Sequence, residues 1–71
     1  MSYAIDTCIV DFLAACGPQD TADIIRECRI QSTDDVTSVK VCQTLARLLL
    51  LGSIELYDGI EGCYDIATGE L

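Results

Sequence analysis

Residues 36–52, VTSVKVCQTLARLLLLG, constrain what this chain can fold into more than any other stretch. Val39, Cys42, Leu45, Leu48 and Leu49 recur at three- and four-residue intervals, the period of a helix with one broad apolar stripe. Val41 and Ala46 flank that stripe, and Lys40, Gln43, Thr44 and Arg47 are left for the outside. Asp34 or Asp35 is placed to cap the helix start. Gly52 closes it, since glycine readily takes the left-handed conformation that ends a helix. Leu50 and Leu51 widen the apolar zone beyond what one buried face needs.

The next stretch, SIELYDGIEGCYDI, reads as a β-hairpin. Ile54 and Leu56 alternate onto one face on the way out, and Tyr64 and Ile66 return on one face with Cys63 and Asp65 on the other. Asp58-Gly59 is a turn signal, and Gly62 follows closely enough to suggest a loop longer than two residues.

Two shorter helices precede this unit. Over residues 3–16, Ile5, Ile9, Phe12, Leu13 and Cys16 share a face, with Asp6 and Asp11 on the other side. Gly17 and Pro18 end that helix. A second helix spans about 21–29, capped by Asp20 or Thr21, with Asp23 in its first turn. Ala22, Ile25 and Cys28 share its face, Ile24 lies beside it, and Ile30 tucks under as the chain leaves. The connector QSTDD follows, and residues 67–71 read as a frayed tail. The fold class expected is α+β, mostly α: one domain over 1–71, with helices at about 3–16, 21–29 and 35–51 and a two-stranded hairpin at about 53–66.

The order helix, short helix, turn, long helix, glycine, hairpin resembles the winged helix-turn-helix family. LARLLLLGSIEL is similar to that family's junction, where a leucine-rich recognition helix passes through glycine into the first wing strand. TADIIREC is similar to its second helix, with the small Ala22 beside Ile24 and Ile25. The likeness covers residues 3–66, and it is a pattern of residue types rather than a signature. The connector QSTDDVT departs from it, being longer and more acidic than the tight turn of a typical DNA reader. The resemblance implies a recognition helix presenting Thr37, Ser38, Lys40, Val41, Gln43 and Thr44 from its N-terminal half.

Charge argues against the DNA contact that such a helix implies. Twelve acids against four bases leave a net charge of −8, whereas affinity for nucleic acid comes largely from basic side chains on phosphates. The four bases, Arg26, Arg29, Lys40 and Arg47, all lie in the helix-turn-helix part. The hairpin carries Glu55, Asp58, Glu61 and Asp65 with no base, so contact between wing and phosphate is not expected.

Catalytic chemistry finds no residues to build on. Histidine is absent, which removes the commonest general base, Ser/His and Cys/His pairs, and mixed Cys/His zinc sites. The carboxylates of the hairpin match no EF-hand spacing. Five cysteines without a CxxC pair read as reduced thiols, four of them in apolar helical patterns and Cys63 nearer the surface. No cofactor, metal or enzymatic activity is expected. The N-terminus lacks a basic segment leading into an apolar run, and the run at 48–51 is far too short to span a bilayer, so a cytoplasmic location without membrane contact is expected.

Half of the residues are hydrophobic, much for a chain near the lower limit for an unaided core, so part of that surface is expected in an interface and the chain as a homo-oligomer. The functional expectation is a small acidic regulator acting by protein–protein contact on a DNA-binding protein, in the manner of an antirepressor. Small phage and mobile-element antirepressors resemble it in size and acidity. Its contact residues would be Glu55, Asp58 and Glu61 on the wing and Leu50 and Leu51 at the helix end. The alternative is a dimeric, sequence-specific DNA-binding regulator reading with Lys40, Gln43, Thr44 and Arg47.

Overall fold

The computed structural model describes residues 4–32 and 35–67. Among these residues the chain forms three helices and one three-stranded antiparallel sheet: α1 (Ile5–Cys16), β1 (Gln19–Asp20), α2 (Thr21–Gln31), α3 (Ser38–Leu51), β2 (Ile54–Leu56) and β3 (Cys63–Ile66). The strand order is β1-β3-β2. The hairpin β2–β3 keeps the expected alternation, with Ile54 opposite Ile66 and Leu56 opposite Tyr64. Its connection is long, as Gly62 suggested: one turn of 3-10 helix at Tyr57–Gly59, then Ile60 to Gly62.

The sheet corrects the expectation of a two-stranded wing. Gln19 and Asp20 pair with Tyr64 and Cys63, so the segment between the first two helices is a third strand. Gly17 makes this possible. Its φ is positive at 81°, but its ψ of −158° lies outside the left-handed helical region, and the chain leaves α1 extended toward β3. The Thr21 N–H and Oγ1 then both donate to the Gly62 carbonyl, at 3.0 and 3.1 Å, fastening the hairpin turn to the start of α2. Asp20 is the cap of that helix, accepting the Asp23 N–H at 2.8 Å.

Asp35 does not cap α3. Asp34 lies outside the described residues, and the cap is Thr37, whose Oγ1 accepts the Lys40 N–H at 3.2 Å. The helix therefore begins at Ser38, three residues later than expected. It ends as expected at Gly52, left-handed at φ 78° and ψ 15°, with the Ser53 N–H reaching back to the Leu48 carbonyl at 3.0 Å. The expected helix start at Tyr3 and the tail at 68–71 also lie outside the described residues; Gln31, assigned to the connector, is the last residue of α2.

The core joins all three helices and the hairpin through Cys8, Ile9, Leu13, Ile24, Cys28, Val41, Leu45, Leu48 and Ile54. Burial of side chains such as Leu13 and Leu45 contributes roughly 1.5–3 kcal/mol each. On α1 the expected face holds for Ile9 and Leu13, but Cys16 is exposed and Cys8 is buried in its place. On α2 the buried pair is Ile24 and Cys28, Ile25 is half-buried, and Ala22 and Ile30 are exposed.

The largest correction concerns the long helix. Its buried residues are Val41, Thr44, Leu45 and Leu48, so the stripe is rotated from the one expected. Val39, Cys42 and Ala46 face outward, and Thr44 does not.

Candidate interaction surface

The residues proposed as DNA readers do converge. Lys40, Gln43, Thr44 and Arg47 line one shallow groove of about 510 Å³ between α3 and the start of α1, together with Asp6 and Asp35. Most of them, however, are engaged within the chain. Thr44 is only 8% exposed, and its hydroxyl donates to the Lys40 carbonyl at 2.8 Å. Lys40 Nζ donates to the Asp35 backbone carbonyl at 3.0 Å. Arg47 lies 3.6 Å from the Asp6 carboxylate. That pair is too exposed to add much stability, yet it sets a negative charge beside the cation that would meet a phosphate. Of the other two bases, Arg26 pairs with Asp23 on α2, and Arg29 is exposed at the end of the same helix.

The hairpin presents the opposite character. Glu55, Asp58 and Glu61 are all exposed. Register places Glu55 directly opposite Asp65, so two carboxylates share one rung on the same face. Like charges in that position cost stability. Asp65 has a local role as well: its Oδ1 accepts the Ile66 N–H at 2.8 Å, beyond the point where β1 has ended. At the tip Asp58 holds left-handed backbone angles, φ 53° and ψ 28°, which a non-glycine residue seldom takes and which aspartate tolerates better than most. Tyr57 and Ile60 stand exposed beside it, giving the acidic loop an apolar element.

Leu50 and Leu51 are 89% and 70% exposed, so the surplus of leucine does reach the surface. They are not alone. Val39 is 65% exposed, and Cys42 and Ala46 continue the line between it and Leu50. Val39 and Cys42 of this stripe were expected on the buried face, because α3 carries apolar residues at helical spacing on two sides. The stripe's signal was the width of the apolar zone, which no single buried face required.

All five cysteines are thiols. Cys8 and Cys28 are buried, Cys63 is half-buried, and Cys16 and Cys42 are exposed, against the expectation that only Cys63 would approach the surface. Burial pushes the Cys28 thiol up to about 11, with Cys8 and Glu27 adding to the effect, so it stays protonated at neutral pH. Among the described residues no group of three or more potential ligands is placed to hold a metal ion, and no helix is long and apolar enough to cross a membrane. No family model, no curated protein and no solved structure matches the chain.

Proposed function

We propose that this chain is a small winged-helix regulatory protein that acts by protein contact, its acidic hairpin meeting a basic surface such as that of a DNA-binding regulator. The order of three helices, glycine and hairpin supports the winged-helix reading, and β1 ties the wing to the helical body without altering that order. The observation that carries the functional reading is the rung shared by Glu55 and Asp65, on a hairpin that also holds Asp58 and Glu61 and no base. A basic partner would relieve that repulsion, whereas a phosphate backbone would increase it. Such a contact would let the chain act as an antirepressor, by binding a DNA-binding regulator and removing it from its site.

The experiment has two stages. Immobilised chain is used to capture a regulator from host extract, and the purified regulator is then bound to its DNA and challenged with the chain. Release of the regulator, lost when Glu55, Asp58 and Glu61 are changed to lysine, is the expected result. Release that persists with all three reversed would remove the hairpin from the contact. The groove that gathers Lys40, Gln43 and Arg47 favours the DNA reading instead. It predicts a low-salt gel-shift complex that Lys40→Ala or Arg47→Ala weakens, and the protein-contact reading predicts none.

A further inference from the structure

The outward side of α3 has a pattern that the fold of one copy leaves unexplained. Opposite the buried Val41, Thr44, Leu45 and Leu48 lie Val39, Cys42, Ala46 and Leu50, all exposed, with half-buried Leu49 at the shoulder. Val39, Cys42, Ala46 and Leu49 follow at intervals of three, four and three residues, the heptad spacing by which one helix seats on another. α3 is also the one helix of the three without a carboxylate, in a chain that has twelve acids. Its two charged residues, Lys40 and Arg47, are both basic and stand along one flank of the stripe.

We propose that this face is covered by a second copy of the chain, α3 packing antiparallel on α3 about a twofold axis at the level of residue 44. The pattern is self-complementary in that orientation. Val39 meets the partner's Leu49, and Cys42 meets the partner's Ala46, so small side chains face each other at the waist and larger ones fill the ends. The alignment sets the positive start of each helix dipole beside the negative end of the other. The stripe itself, Val39, Cys42, Ala46 and Leu49, holds no charge, so an electrostatic contact with a basic partner belongs to the hairpin and not to this face. Two 14-residue helices packed along one stripe form an interface at the low end of specific contacts, below about 1,200 Å² in total. The dimer is therefore reversible. It covers the apolar stripe of α3, to which none of the hairpin acids Glu55, Asp58 and Glu61 belongs.

Sedimentation of the whole chain from about 1 μM to about 1 mM tests this, the range in which so small an interface dissociates. The expected result is a monomer–dimer equilibrium that Ala46→Arg weakens at least about thirtyfold, since a central steric and charge clash acts as hot-spot loss does. Ala46 is exposed in the single copy, and circular dichroism checks that the variant folds. Because each copy carries −8, raising salt from about 20 to about 300 mM should tighten the dimer about tenfold by screening. Contact with an oppositely charged protein would weaken instead. Register is read in a Cys16→Ser, Cys63→Ser background. With added oxidised glutathione as electron acceptor, Ala46→Cys should yield a covalent dimer through Cys42, and Cys42 alone should not. A monomer at the highest concentration, or a dimer indifferent to Ala46→Arg, would overturn the proposal. Crosslinking through Cys42 alone would overturn the antiparallel register. Asp58→Lys and Glu61→Lys should leave the dimer intact, so failure of the hairpin contact and failure of the dimer are read separately.

Discussion

Replacing Glu55 with lysine should make the protein more stable while abolishing the proposed contact. Glu55 is exposed and stands directly opposite the half-buried Asp65. Side chains on such a rung have Cβ atoms about 5 Å apart, which puts the two carboxylates at about 6 Å. At that distance two unit charges repel by about 0.7 kcal/mol in bulk water and about 3 kcal/mol at an effective dielectric of 20. The exposure of Glu55 favours the lower end, in line with the roughly 0.2–1 kcal/mol measured for cross-strand pairs. Reversing one sign removes the repulsion and adds a comparable attraction, a gain of about 1 kcal/mol. In a domain of this size that raises Tm by about 4–8 °C. Lysine and glutamate are both poor strand residues, so backbone preference contributes little to the difference.

The substitution also lowers the overall negative charge, so the pair must be isolated by a double-mutant cycle. Asp65→Asn is the matching partner change, because it removes the charge and keeps an oxygen for the Ile66 N–H. Thermal and urea melts of the four proteins should give a coupling of about 0.5–1 kcal/mol that shrinks with added salt. A less stable Glu55→Lys protein, or a coupling within about 0.3 kcal/mol of zero, would refute the reasoning. The hairpin would then hold no repulsion for a basic partner to relieve. A stabilised variant that no longer captures its partner is the pattern expected where function maintains a local cost.

Other outcomes follow from burial and capping. Leu45→Ala should cost about 2–4 kcal/mol in urea unfolding, and Leu50→Ala less than about 0.5 kcal/mol at concentrations where the chain is monomeric, since one leucine is buried and the other is at the surface. Thr37→Ala should cost about 1 kcal/mol by leaving the Lys40 N–H without its cap, while Asp35→Ala should leave helix capping unchanged. At concentrations where the chain is monomeric, alkylation under native conditions should modify Cys16 and Cys42 first and reach Cys8 and Cys28 only on unfolding. Cys28 also sets a direction with pH. Its thiol titrates near 9.0 when unfolded and at about 11 when folded, so the folded state holds the proton more tightly. That contribution, on the order of 2 kcal/mol, is fully present below about pH 9 and lost as pH rises to about 11. Cys28→Ala should flatten the alkaline limb of a stability profile, and an unchanged limb would exclude the thiol as its source.

Much of the architecture could be read from residue order because it rests on local chemistry. Gly52 ends a helix wherever its φ is positive and the following N–H reaches back, and the alternation of Ile54, Leu56, Tyr64 and Ile66 defines a hairpin face without help from the rest of the chain. The acidity of the hairpin and the surplus of leucine at 50–51 were equally plain, since charge and hydrophobicity belong to residues and not to their placement.

Tertiary structure decided the rest. β1 is two residues long, too short to show any alternation, and it is a strand only because β3 presents an edge to it. The orientation of α3 was open because Val39, Cys42 and Ala46 lie at helical spacing on one side and Val41, Leu45 and Leu48 on the other. Both sides satisfy the same period, and only docking against α1, α2 and β2 selects the second. That choice buried Thr44 and turned an apolar stripe outward, changing which residues of the helix are available to a partner. Sequence alone determined that this helix had more apolar surface than one core could use; the direction in which the excess points was settled by packing, because periodicity specifies faces and only neighbouring elements specify which face is inside.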